Sequence, residues 1–255
     1  MKLLSSVQKA LRVLRTFSAD NPELSLTEIS QRLDLHKSSV FRILATLESE
    51  GFVEKNPLTT RYKLGLRLLE LASRVVGRYD LRDMARPYME ELARELEEIV
   101  HLSILDGKEI VYLEKKGGGQ PLTVATRVGG RSPAHASAMG KVLLAGVPED
   151  ELADALGPGP LARFTPSTIT EIPDLCRELE KIRGQGFAVD NEETFPGIRC
   201  VAAPIRNGEG RVIAAISVTA PKQRMGNQRI KEIQKRIVKT ARLISERIAM
   251  SRLGE

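Results

Sequence analysis

Apolar residues in the first quarter of the chain recur at helical intervals. Val7, Leu11, Leu14 and Phe17 lie three or four residues apart and predict an amphipathic helix over 6–19, closed by Asp20-Asn21-Pro22. Ser25 stands three residues before Glu28, the spacing at which each side chain caps the other's backbone N–H. A second helix is expected to start there, burying Leu26, Ile29 and Leu33, with a turn at Asp34-Leu35. Val40, Ile43, Leu44 and Leu47 predict a third helix that stops before Gly51. The pattern then becomes strand-like: Phe52-Val53 and Tyr62-Lys63-Leu64 flank the turn-forming stretch Asn56 to Thr60. Three helices followed by a β-hairpin make a winged helix-turn-helix.

Helical spacing returns at Leu66, Leu69, Leu71 and Val75-Val76, towards Arg78. Asp80, with Asp83 three residues on, is placed to cap a further helix towards Glu97, which Pro87 is expected to kink or restart. From residue 99 the chain alternates. Ile99 to Leu105 and Glu109 to Glu114 form a hairpin around Asp106-Gly107-Lys108, and a third strand is expected near Leu122 to Val128. Helices follow near 137–146, 149–156 and 171–186, then strands at Val201 to Ile205 and Val212 to Thr219, and a last helix over 226–250. This order suits an antiparallel sheet flanked by helices, an α+β sensor-like domain.

Composition narrows the picture. A chain of 255 residues with 42% hydrophobic and 28% charged residues fits two ordinary domains. The net charge is +6, and residues 1–75 hold twelve Lys/Arg against eight Asp/Glu, so most of the excess lies in the helix-turn-helix region. Two cysteines, Cys176 and Cys200, make neither a disulfide framework nor a four-ligand zinc site, so no metal or cofactor is expected. Gln8, Lys9, Arg12 and Arg15 interrupt the apolar N-terminal stretch, and no run approaches a membrane span. A cytoplasmic protein without membrane contact is the expectation.

The third helix opens with His36, Lys37, Ser38 and Ser39, followed by Phe41 and Arg42. Hydroxyls and N–H groups at a helix N-terminus suit phosphate oxygens, and Arg42 is long enough to pair with guanine in a major groove. Arg61, in the wing, is placed to reach the neighbouring backbone or minor groove. The competing reading is a helical hairpin for protein contacts, which would make the chain a small-molecule sensor without DNA. In the C-terminal part, Gly117-Gly118-Gly119 lacks the GK[ST] of a phosphate loop. His101 lies within a predicted strand. His135 and Cys200 suggest a hydrolase dyad, but no third, orienting group is identifiable. The chain is therefore not expected to be an enzyme.

Several stretches together resemble the isocitrate-lyase-regulator (IclR) family of bacterial transcription factors, from Ser6 to about Ile248. They are LSLTEISQRLDLHKSSVFRILATLESEGFVEK, RYKLGLRLLELAS, HLSILDGKEIVYLEK, SPAHASAMGKVLLA, RGQGFAVDNEET, GIRCVAAPI and AAISVTAP. The resemblance implies an α+β multidomain chain: a winged helix-turn-helix over 1–65, a linker helix over 66–83 and a GAF-like effector-binding domain over 84–255. It implies double-stranded operator DNA as partner, a small organic or sugar-derived acid or an aromatic metabolite as effector, a homodimer or homotetramer, and repression or activation as the mode of control. Carried over position by position, it implies a pocket lined by Ala138, Met139, Asp190, Ile198, Cys200, Ser217 and Thr219. Some relatives have Gly at the position of Ala138 and Ser at that of Thr219, and Met139 is bulkier than usual, so the pocket's size is expected to differ.

Overall fold

A computed structural model describes residues 3–18, 20–76, 81–117, 126–157 and 159–251. The chain divides into two compact units, residues 1–79 and residues 80–255.

In the N-terminal unit, α1 (Ser5–Leu14), α2 (Leu26–Leu33) and α3 (Lys37–Ser49) pack around Val13, Phe17, Ile29, Val40, Leu44 and Leu47. The helix expected over 6–19 ends at Leu14, yet Phe17 still reaches the core. The capping box forms: the Ser25 hydroxyl accepts the Glu28 N–H at 3.3 Å, and the Glu28 carboxylate accepts the Ser25 N–H at 2.7 Å. Asp34 ends α2 in the left-handed conformation (φ 51°) that turns the chain into α3. The wing is the hairpin of β2 (Val53–Lys55) and β3 (Tyr62–Leu64). A strand not foreseen, β1 (Glu23–Leu24), adds to the other edge of β3. Two residues carry no period of their own, so only pairing with β3 makes them a strand. A Cβ on Gly65 would lie 2.2 Å from the Gly51 carbonyl oxygen, so glycine lets the end of the hairpin cross the end of α3. The chain continues into α4 (Arg67–Val76).

In the C-terminal unit, a six-stranded antiparallel sheet runs in the order β6-β5-β4-β9-β8-β7. Its strands are β4 (Ile99–Asp106), β5 (Glu109–Lys116), β6 (Arg131–Pro133), β7 (Ala188–Asn191), β8 (Ile198–Arg206) and β9 (Val212–Pro221). The sheet lies between two helical layers. α5 (Leu81–Leu96) and α9 (Asn227–Ser251) cover one face, meeting Val100, Leu102, Val201, Ala203, Ile216 and Val218. α6 (Ala138–Ala145), α7 (Leu152–Leu156) and α8 (Ile172–Gln185) cover the other, against Ala188, Ala202 and Ala215. Burial on both faces is why β8 and β9 read as nearly continuous apolar runs.

Three expectations change. α5 continues through Pro87, because Leu81, Ala85, Met89, Leu92 and Leu96 form one stripe whose burial outweighs a missing N–H in the second turn. The third strand is Arg131–Pro133, paired with β5, and Thr126 to Val128 are not in a strand. The rest of the Leu122 to Val128 expectation lies outside the described residues, as do the cap at Asp80, the helix end near Arg78 and two of the three glycines after Lys116. β7 was not foreseen, and it carries Asp190.

Candidate functional sites

Each unit holds one candidate site. On the N-terminal unit, Val40, Leu44 and Leu47 anchor α3 in the core, which turns Lys37, Ser38, Phe41 and Arg42 outward and leaves Ser39 half-buried. Phe41 is 53% exposed, unusual for so large an apolar side chain. The N-cap residue, His36, makes no side-chain cap bond, so the first turn of α3 presents N–H groups as well as side chains. Arg61 points elsewhere. Its guanidinium binds the Glu28 carboxylate at 2.8 Å and the Glu23 carbonyl at 3.1 Å, clasping the wing to the capped start of α2. The Ser25 N–H and hydroxyl, and then Arg61, hold the Glu28 carboxyl down at about 2.

On the C-terminal unit, the face of the sheet turned to α6 encloses a small cavity of about 30 Å³. All seven residues carried over from the resemblance line it: Ala138 and Met139 from α6, Asp190 from β7, Ile198 and Cys200 from β8, Ser217 and Thr219 from β9. The register explains the convergence. Asp190 pairs with Cys200, Cys200 with Thr219, and Ala202 with Ser217. Residues two apart on a strand share a face, so these side chains form a polar strip across an otherwise apolar layer. A Cβ on Gly140 would stand 2.2 Å from the Ala134 carbonyl oxygen, so glycine there lets α6 approach the strand-end segment. Ser137 caps α6, accepting the Gly140 N–H at 3.1 Å.

Sequence reasoning missed several of the walls. Tyr112, Thr126 and Ser132 also line the cavity, together with Ser137 at the helix entry and His101, which the sequence placed in a strand as core or lining. His101 bonds the Thr126 hydroxyl at 2.7 Å and the Thr219 hydroxyl at 3.4 Å, and its ring lies 5.1 Å from that of Tyr112. Burial, then Lys115, lowers His101 to about 3, so it is a neutral imidazole. The Ser217 hydroxyl is 1% exposed with no hydrogen-bond partner, and it is one of the few such atoms among the described residues.

Behind the cavity, Lys141 of α6 is 1% exposed. Its ammonium donates to Glu193 at 2.6 Å and to the Val189 carbonyl at 2.9 Å. Burial still pushes the Glu193 carboxyl up, against the pull of Lys141. The Glu193 N–H donates to Asp190 Oδ1 at 2.7 Å. No signal in the sequence marked Lys141, since a lysine at the start of a helix ordinarily faces solvent.

The nucleophilic dyad does not form. His135 bonds the Ala162 carbonyl at 2.9 Å and does not line the cavity, while Cys200 accepts from the Thr219 hydroxyl at 3.3 Å. Burial, and then the Asp190 charge, drives the Cys200 thiol above its usual range, which removes the thiolate a nucleophile needs. Among the described residues no group of His, Cys, Asp and Glu could hold a metal, and no helix is long and apolar enough to cross a membrane.

A winged helix-turn-helix joined to a sheet with an enclosed polar cavity defines a class: regulators that bind DNA through one unit and a small molecule through the other. Family models agree with the parts. The IclR helix-turn-helix domain matches residues 6–57, and the C-terminal domain of bacterial transcriptional regulator IclR matches residues 73–246. The chain belongs to the IclR family of bacterial transcriptional regulators. It is 38% identical to the Escherichia coli HTH-type transcriptional regulator XynR, over 93% of this chain and 94% of that one. It is 37% identical to KdgR of the same organism, over 95% of this chain and 92% of that one. The Thermotoga maritima IclR crystal structure matches with a TM-score of 0.79 at 34% identity, covering 96% of this chain and 98% of that one. An IclR homolog from Microbacterium hydrocarbonoxydans, solved in complex with 4-hydroxybenzoate, matches with a TM-score of 0.82 at 30% identity, covering 95% and 98%. The protein is thus a DNA-binding transcriptional regulator with an effector-binding C-terminal domain of GAF-like α+β fold. Its relatives are regulators and not enzymes.

Proposed function

We propose that the first turns of α3 bind operator DNA through Lys37, Ser38, Ser39, Phe41 and Arg42, and that an organic or sugar-derived acid in the cavity controls that binding. Lys37 and the hydroxyls meet phosphates, Arg42 meets a base edge, and Phe41 offers an apolar surface to a thymine methyl. Arg61 is a positioning residue for the wing, because its guanidinium is already held by Glu28. The domain division is 1–65, 66–83 and 84–255, and the protein acts in the cytoplasm as a homodimer or homotetramer. Leu66 and Leu69 are 74% and 69% exposed, an apolar stretch that a second copy would cover while bringing two readers to two half-sites.

The observation that carries the effector assignment is the unpartnered Ser217 hydroxyl in a cavity where six separate stretches meet. A buried hydroxyl without a partner is costly, and a ligand oxygen would relieve that cost. The α6 N-terminus supplies N–H groups to a carboxylate, and Met139, Ile198 and Cys200 supply apolar wall. About 30 Å³ holds a water molecule or two, so an organic acid enters only as the walls part. Binding therefore favours one arrangement of the domain over another, as a change in operator affinity requires. A thermal-shift screen of organic acids finds the effector, and calorimetry on Ser217→Ala then tests the site. Loss of the hydroxyl should weaken binding by about 1.5–3 kcal/mol, roughly ten- to a hundred-fold. Wild-type affinity in that variant would move the effector site elsewhere.

A further inference from the structure

The geometry points to Asp190 meeting its ligand as a neutral carboxylic acid that donates a hydrogen bond, so that the cavity selects monoanions over dianions and each bound anion holds one solvent proton on Asp190. This rests on the cavity being the effector site.

Asp190 is 4% exposed at the edge of the sheet, where β7 pairs with β8. The ionisable groups around it come from five directions. Glu193, on the loop that follows β7, is another carboxylate. Lys141, from α6, is the cation acting on Asp190, but its ammonium is engaged by Glu193 at 2.6 Å and the Val189 carbonyl at 2.9 Å. Cys200 from β8 and Tyr112 from β5 both sense the Asp190 charge, and burial holds each above its ordinary value, so both are neutral near pH 7. His101 from β4, on the same cavity wall, is a neutral imidazole. None of the described residues lining the cavity is Lys or Arg.

With Asp190 ionised, an incoming carboxylate would be a second negative charge in a small buried cavity with no lysine or arginine among the described residues of its wall. Repulsion at low dielectric makes that arrangement unfavourable. A proton on Asp190 removes the repulsion and turns an acceptor into a donor. Its Oδ1 already accepts the Glu193 N–H at 2.7 Å and its carboxyl also meets the Thr194 hydroxyl, so the ligand competes with Thr194 for a proton carried on the second oxygen. An O–H donated to a carboxylate is a short, strong bond. The Ser217 hydroxyl and the α6 N-terminus can then share one negative charge. A second carboxylate on the ligand would find no such partner. The surroundings bring the acid form within reach: burial raises Asp190 to about 7 and the Glu193 charge adds to it, while the Glu193 N–H, Lys141 and the Thr194 hydroxyl oppose the rise.

The test has two arms, both on the full chain. Infrared difference spectra between wild type and Asp190→Asn, from about pH 5 to about pH 9, isolate the carbonyl stretch of a protonated Asp190. The band should be present at the acid end and lost towards the alkaline end. A carboxyl already ionised at the acid end overturns the proposal without reference to any ligand. In the second arm, calorimetry compares monocarboxylates with their dicarboxylate counterparts: propionate with succinate, and benzoate and 4-hydroxybenzoate with terephthalate. Monoanions should bind, with affinity falling about tenfold per pH unit above about pH 7. Asp190→Asn keeps a donor without the charge, so its affinity should be flat with pH; its melting temperature checks that it folds. Dicarboxylates binding as well as monocarboxylates, or a flat wild-type profile, would overturn the selection. If no acid binds, the effector reading falls and monoanion selection with it, while the infrared arm still decides the state of Asp190.

Discussion

Glu28 in the N-terminal unit and Asp190 in the C-terminal unit each accept a backbone N–H three residues away, at 2.7 Å. Their acidities move in opposite directions. Glu28 is partly in water and shares its charge with Arg61 and Ser25, so it is held at about 2. Asp190 is sealed from water beside another carboxylate, so it rises to about 7. The same local bond therefore does not decide a carboxylate's state; solvent and counter-ion do. The difference suits the two units. The N-terminal unit uses its polar groups to fix a reading surface, and none of its described side chains has a polar atom buried without a bond. The C-terminal unit keeps polar groups in reserve: the Ser217 hydroxyl and one Glu193 oxygen are buried without a bond.

The sharpest test of this contrast is the buried pair behind the cavity. Lys141→Met would leave Glu193 buried without its cation and should cost about 3–5 kcal/mol in denaturant unfolding. Adding Glu193→Gln should recover most of the loss. An effect below about 1 kcal/mol would mean that Lys141 is as replaceable as a surface charge.

Next come the pH profiles, whose signs must differ. Asp190 ionises near 3.8 when unfolded and near 7 when folded, so the folded form holds the extra proton between these values. Stability of the C-terminal unit should fall as pH rises through that window, by at most about 1.4 kcal/mol per pH unit, and Asp190→Asn should flatten the slope. Glu28 is the reverse case. Its contribution is present above about 4.5 and is lost as pH falls towards about 2. Thermal melts of wild type and Glu28→Gln across the acid range would show it, and parallel profiles would break the comparison.

Smaller effects separate reading from positioning on DNA. Arg42→Ala should lose about 1–3 kcal/mol of discrimination between operator and variant sequences in gel-shift titrations. Lys37→Ala should weaken all sequences alike and reduce the salt slope by about 0.9. Arg61→Ala should leave that slope unchanged, because its charge is directed at Glu28 and not at phosphate. A slope lowered as much as by Lys37→Ala would restore Arg61 to the DNA surface. Ser25→Ala, which removes half of the capping box, should cost about 1 kcal/mol in the N-terminal unit.

What the chain's own order determined is local. The Ser25–Glu28 box, the turn at Asp34, the apolar stripes of α2 and α3, the hairpin of β4 and β5 and the apolar runs of β8 and β9 all follow from neighbours a few residues apart, within reach of a helical turn or a strand's pleat. The resemblance added the seven cavity residues but not how they meet. Pairing across the sheet decided that, and with it every feature whose partner is far along the chain. Arg61 turns to Glu28, 33 residues away, and Lys141 to Glu193, 52 residues away. β1 and β7 are strands only because a neighbour supplies their hydrogen bonds, and α5 passes Pro87 because its stripe has a core to enter. The state of Asp190 belongs to the same group. Its acidity depends on Glu193 three residues away, but also on burial and on Lys141, neither of which is written near Asp190 in the chain.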